Sequence, residues 1–137
     1  MLRYNLIHPQ LIEGLAAAGH GSRVLLADGN YPYATAASPD TRIVYLNLAP
    51  GVLTVADILP VLTTAVNFES AAVMKAPEGI ETPAQDDYRK LLGPAMPFEK
   101  VERFEFYDLV RSPEVGLIVA TGEERLYANL LLTIGLR

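Results

Sequence analysis

The chain contains two histidines and no cysteine, so proton transfer near neutral pH falls to few side chains. His20 is the more informative of the two. It stands between Gly19 and Gly21, where no bulky neighbour crowds the ring and the backbone can turn sharply. An imidazole with an ordinary pKa near about 6.5 both takes and gives protons close to neutral pH. The same residue also suits a plainer role, a C-terminal cap interacting with the dipole of a preceding helix. His8, followed by Pro9, reads as a helix boundary and is assigned no chemistry. Gly19-His20-Gly21 precedes a strand instead of following one, and no G-x-G-x-x-G or Walker pattern occurs, so nucleotide cofactors lose support. Two histidines without a suitably spaced carboxylate set predict no metal site, and the lack of cysteine removes thiolate nucleophiles and thiolate ligands.

Open α/β sheets bind ligands beyond the carboxyl ends of their strands. Four polar places fall at such points. Asp28 ends the first strand, Arg103 nearly ends the fourth, Thr121-Gly122 ends the fifth, and Tyr127 with Asn129 precedes the sixth. Together they offer an acceptor, a cation, an aromatic face and an amide, the inventory that a polyhydroxylated ligand requires. Each also has an ordinary reading taken singly: a strand-ending turn at Asp28-Gly29, a solvated edge arginine, and an amphipathic aromatic with its hydroxyl at the surface.

The elements that must position these groups follow from periodicity and punctuation. Leu11, Ile12, Leu15 and Ala16 share one helical face behind Pro9, with Gly19 as the stop, which predicts a helix ending near Ala18. Arg23–Asp28 is a short apolar run suited to a strand covered on both faces, and the loop 29–40 follows it. Arg42–Leu46 predicts a second strand. Thr54 to Asp57 forms a capping-box-like start for a helix carrying Ile58, Leu59, Leu62 and Val66, in which Pro60 should restrict or kink the axis. Ala71–Lys75 predicts a third strand, and Thr82-Pro83-Ala84-Gln85 starts a helix to about Leu92, with Gln85 as a capping-box residue. Glu99–Phe104 alternates polar and apolar residues like a half-buried strand, with a short helical turn after it. Val115–Thr121 and Asn129–Ile134 complete six strands. The pattern predicts one three-layer α/β domain over 1–137, with a mostly parallel or mixed sheet and flanking helices.

Composition narrows the class further. At 137 residues, half of them hydrophobic, the chain suits one folded core. The net charge is −5 and the eleven Lys and Arg are scattered, which argues against nucleic acid as a partner. Residues 1–10 lack a basic segment followed by an apolar stretch, and no apolar run reaches the roughly 18–20 residues of a bilayer span. A cytoplasmic protein with no membrane partner is expected.

Ala17-x-Gly19-His20-Gly21, a strand, Ala27-Asp28 and Tyr31-Pro32 occur in an order that resembles the L-fucose mutarotase and D-ribose pyranase (RbsD/FucU) family. Arg103-Phe104-Glu105-Phe106-Tyr107 resembles the family's R-F-x-F-Y stretch, and Thr121-Gly122-Glu123 with Tyr127-Ala128-Asn129 resembles its T-G-E…Y-x-N signature. The segment Thr82–Leu92 fits its intervening helix, so the resemblance covers essentially the whole chain. It implies an isomerase that interconverts ring forms of a free monosaccharide without a cofactor. His20 would transfer protons, with Tyr127 as a second proton carrier, and Asp28, Arg103, Tyr127 and Asn129 would hold the sugar. Arginine at 103 resembles the fucose branch, whereas Asn30 departs from the histidine that this branch commonly carries there. The resemblance also implies a homo-oligomer, a pentamer or decamer.

Spacing agrees with that last implication. Eight residues from His20 to Asp28, at about 3.3 Å each, separate them by up to roughly 26 Å when extended. Unless the Gly21-Ser22 turn folds back, a sugar touching both must sit between two subunits. The competing expectations are a non-catalytic monosaccharide-binding protein associated with sugar uptake and a nucleotide- or phosphate-binding α/β domain.

Overall fold

The computed structural model describes all 137 residues. In chain order they form α1 (Pro9–Ala17), β1 (Arg23–Ala27), β2 (Arg42–Tyr45), α2 (Val55–Thr63), β3 (Phe68–Met74), α3 (Pro83–Leu92), β4 (Phe98–Val101), α4 (Arg103–Arg111), β5 (Val115–Ala120) and β6 (Leu130–Ile134). The strands make one sheet in the order β2-β5-β1-β6-β3-β4. All neighbours run parallel except β6, which is antiparallel to both β1 and β3. The carboxyl ends of five strands therefore share an edge with the amino end of β6.

Side chains of β1 alternate between the two faces, as the strand period demands. Val24 and Leu26 pack with Leu11 and Leu15 of α1, Leu59 and Leu62 of α2, and Tyr88 of α3. Leu25 and Ala27 pack with Phe106 and Val110 of α4 and with Tyr31 and Ala36 of the loop after β1. Three helices thus cover one face, and α4 with that loop covers the other, giving the expected three layers.

Local chemistry explains most element starts. Thr54 and Asp57 form a reciprocal capping box on α2, and Pro60 is accommodated inside that helix. His8 caps α1, its Nδ1 accepting from the Leu11 N–H at 3.4 Å. Two expectations need correction. The predicted strand Glu99–Phe104 is β4 ending at Val101, followed by a full helix, so Arg103 opens α4 instead of closing a strand. Phe106 and Val110, four residues apart, bury one helical face, and that spacing outweighs the alternation of the preceding residues. Gln85 does not complete a capping box, because Thr82 makes no side-chain cap; the glutamine turns inward, buried beneath the sheet edge.

Gly122 closes the sheet edge where Asp28 and Asn129 lie. Its N–H donates to Leu53 O, its carbonyl accepts from the Gly51 N–H, and a Cβ would fall onto the backbone oxygens of Val52 and Ala49. We predict that Gly122→Ala destabilises the fold by about 1–3 kcal/mol, the usual range for forced overpacking. Urea unfolding should show a lower midpoint; an unchanged midpoint would contradict this packing.

Candidate active site

The site begins with a reciprocal pair of hydrogen bonds. Because β6 is antiparallel to β1, with Leu26 opposite Leu130, Asn129 arrives beside the end of β1. The Asp28 N–H donates to Asn129 Oδ1 at 2.9 Å, and Asn129 Nδ2 donates to Asp28 Oδ2 at 2.8 Å. The other carboxylate oxygen accepts from the Asn30 N–H at 2.9 Å, an Asx turn that bends the chain away from the strand. Both side chains are nearly sealed, with 3% exposure for Asp28 and 5% for Asn129. Burial raises the Asp28 carboxyl above its ordinary value, against the backbone N–H donors that favour its charged form. A buried acceptor at the rim of a cavity, already oriented by hydrogen-bond donors, is suited to fixing a ligand hydroxyl.

That cavity, of about 250 Å³, is lined by Asp28, Asn30, Tyr31, Met74, Arg103, Tyr107, Leu126, Tyr127 and Asn129. Asp28, Arg103, Tyr127 and Asn129, named from the sequence, are therefore brought together. Arg103 enters from the first turn of α4 and lies 5.9 Å from the Tyr107 ring centroid. Tyr31 stacks on Tyr107 at 5.4 Å and meets Phe106 edge-on. The Tyr31 hydroxyl is buried without a partner, and burial pushes its pKa upward.

Tyr127 has φ of +56°, a left-handed value that costs a non-glycine residue conformational energy. Helix α3 holds it there. Gln85 Nε2 donates to Tyr127 O at 2.9 Å and to Met74 O at 2.8 Å, joining two walls of the cavity, while the Tyr88 hydroxyl donates to Ala128 O at 2.8 Å. The Thr121-Gly122-Glu123 segment braces the opposite side. Thr121 Oγ1 donates to Ala27 O at 2.8 Å, and Gly29 N–H donates to Glu123 O at 2.8 Å. Burial alone would raise the Glu123 carboxyl, but the hydrogen bonds and charge of Arg125 outweigh it and hold it below the ordinary value. Arg125 in turn reaches Asp87 of α3 at 2.7 Å.

His20 lies elsewhere. It occupies the tip of a tight turn in which the Ser22 N–H donates to Gly19 O and Gly21 has φ of +82°, as a type II turn requires at its third position. The Gly21 N–H donates to Ile134 O, so the turn sits at the far end of β6 from Asn129. The five residues of β1 alone put roughly 17 Å between the two ends. His20 is half exposed, and its Nε2 stands 3.0 Å from the Glu69 carboxylate.

Tyr31, Met74 and Leu126 had no role assigned from sequence. Only Tyr31 carried a signal, through the Tyr31-Pro32 pair. A larger cavity of about 560 Å³ under the N-terminal segment is lined mostly by apolar residues, Leu6, Ile12, Leu15 and Val66 among them, with Arg3, Asn5 and Thr64 also on its wall. No group of three or more His, Cys, Asp or Glu side chains could hold a metal ion, and no helix is long and apolar enough to cross a membrane.

The fold and cavity define a small-ligand α/β domain whose site presents hydrogen-bonding groups beside aromatic rings. The chain belongs to the RbsD / FucU transport protein family, whose model matches residues 1–137. It is 34% identical over 140 residues to human fucose mutarotase, covering 95% of this chain and 89% of that protein. It superposes on a fucose mutarotase from Streptococcus pneumoniae in complex with L-fucose with a TM-score of 0.80, at 27% identity over 100% of this chain and 99% of the other. FucU from Bifidobacterium longum gives a TM-score of 0.82 at 28% identity, covering 96% and 95% of the two chains.

We predict that Asn129→Ala, which leaves the Asp28 N–H and Oδ2 unpaired, destabilises the protein by about 1–3 kcal/mol. Removing a donor to the carboxylate also disfavours its charged form, so the Asp28 side-chain carbon should titrate at higher pH in the variant. Unchanged stability and titration would show that the pair is not formed.

Proposed function

We propose that this chain is a cofactor-independent sugar mutarotase acting on a fucose-like monosaccharide. The cavity that gathers Asp28, Arg103, Tyr127 and Asn129 carries the reading. Its small volume suits a single sugar ring, and its oriented acceptor, amide and guanidinium suit hydroxyl groups. The kinship with fucose mutarotases supports fucose over ribose.

Mutarotation moves protons and one electron pair, without oxidation. The anomeric hydroxyl gives its proton to a base and its oxygen forms the carbonyl. The bond between the anomeric carbon and the ring oxygen breaks, and its electron pair stays on the ring oxygen, which takes a proton from an acid. The carbonyl group rotates, and the same steps reversed close the ring on its other face. A group that is base in one direction must be acid in the other, which an imidazole does near neutral pH. His20 is assigned this exchange, with Tyr127 as the second proton carrier; Asp28 and Asn129 orient hydroxyls, and Arg103 fixes the ring.

One copy cannot bring these groups to one sugar, given the separation along β1. The active unit is therefore a homo-oligomer in which the His20 turn of one copy meets the cavity of its neighbour, and the family resemblance makes that assembly a pentamer or decamer. Exposed Phe104 and Leu126 near the cavity provide apolar surface for that neighbour to cover. We further propose a cytoplasmic location, the one expected from the sequence.

Saturation-transfer NMR on equilibrated L-fucose tests both parts. The protein should accelerate anomer exchange, and His20→Ala should lower the rate by about 10²–10⁴-fold, the usual contribution of general acid–base catalysis, while sparing sugar binding. Mixing unfolded His20→Ala and Asn129→Ala chains and refolding them together should restore exchange that neither has alone. Binding of L-fucose without accelerated exchange would favour the uptake-associated binding protein instead.

A further inference from the structure

Glu69 is the one side chain that engages the His20 imidazole. Both its carboxylate oxygens lie within hydrogen-bond distance of Nε2, at 3.2 and 3.0 Å. Three features of the fold converge on this contact. The β3–β6 register slips between Phe68 and Ser70: Phe68 faces Ile134 and Ser70 faces Thr133, so Glu69 is the extra residue of a bulge. Bulges of this kind re-aim a side chain and are frequent beside active sites. Opposite the bulge stands Gly135, where a Cβ would lie 3.0 Å from Glu69 Cβ and 3.3 Å from its Oε2, so the absent side chain leaves the carboxylate its path. The type II turn then carries the imidazole to meet it.

We propose that Glu69 is the positioning residue for His20, and that it reserves Nδ1 as the nitrogen that exchanges protons with the sugar. This rests on the assignment of His20 as the proton-transferring group. A carboxylate only accepts hydrogen bonds, so the neutral ring must carry its proton on Nε2 to satisfy Glu69. Nδ1 then keeps its lone pair. When Nδ1 takes the anomeric proton the ring becomes a cation, and the adjacent carboxylate stabilises it; when Nδ1 returns a proton to the sugar, the ring reverts to the Nε2–H form. The side chains are 52% and 44% exposed, so the pair contributes little to folding. Its consequence is tautomer and orientation, which strengthen when a neighbouring copy and a sugar exclude water from the turn.

Two readouts on the full-length, assembled protein test this. Nitrogen–proton correlation spectra of the imidazole report the tautomer directly; the wild-type ring should be Nε2–H, and Glu69→Ala should give a mixture. By saturation transfer with L-fucose, Glu69→Ala should lose roughly tenfold in kcat with KM held, a part of the acid–base contribution. Glu69→Gln should recover part of that loss, because its amide oxygen still accepts from Nε2–H. A wild-type ring protonated on Nδ1, or a Glu69→Ala enzyme with full kcat, would overturn the proposal. Full turnover by His20→Ala would overturn the assignment of His20 itself, a result separable from the tautomer.

Discussion

The arrangement depends on one antiparallel strand in an otherwise parallel sheet. Had β6 run parallel to β1, Asn129 would lie at the opposite edge and the Asp28 carboxylate would be buried without its side-chain partner. Running antiparallel, β6 begins where β1 ends, and two hydrogen bonds of 2.9 and 2.8 Å join Asp28 to Asn129 in both directions. Burying a carboxylate is costly unless donors meet it. Here the donors are supplied by the protein itself, so the Asp28 carboxylate is an acceptor already held in place.

Around that pair the fold stores conformational strain locally and offsets it from α3. Tyr127 is held at positive φ by Gln85 and Tyr88, which donate to the successive carbonyls of Tyr127 and Ala128. The Glu123–Arg125–Asp87 chain fastens the same loop to the same helix. These residues touch the cavity only through others, yet they determine where Tyr127 and Asn129 stand. The opposite edge of the sheet is built differently: a turn tip, a bulge and a glycine expose His20 and Glu69 to solvent. A buried end at Asp28–Asn129 and an exposed end at His20–Glu69 fit the proposal of a site shared between copies.

Much of this was legible in the sequence because it depends on short-range rules. Proline starts, the Thr54–Asp57 box and the apolar runs located most elements, and polar residues near strand ends pointed to Asp28, Arg103, Tyr127 and Asn129, all of which line the cavity. What stayed hidden depended on tertiary choice. Residues 99–104 alternate like a strand, and only the burial of Phe106 and Val110 shows that the chain turns helical at Arg103. Gln85 has the spacing of a capping residue, but two backbone carbonyls 11 and 42 residues away claim its amide. Glu69 could not be singled out at all, since a bulge is a property of pairing between strands and leaves no mark in one of them. Strand order was equally out of reach, being fixed by crossovers instead of by local pattern.

The central claim is that one sugar touches the His20 turn and the Asp28–Asn129 cavity at once. It is tested most directly by NOE measurements on the assembled protein with bound L-fucose and selectively labelled histidine and tyrosine. The account predicts cross-peaks from the anomeric proton to the His20 ring and from the same sugar to the Tyr127 ring. Contacts to Tyr127 with none to His20 at saturating sugar would contradict it.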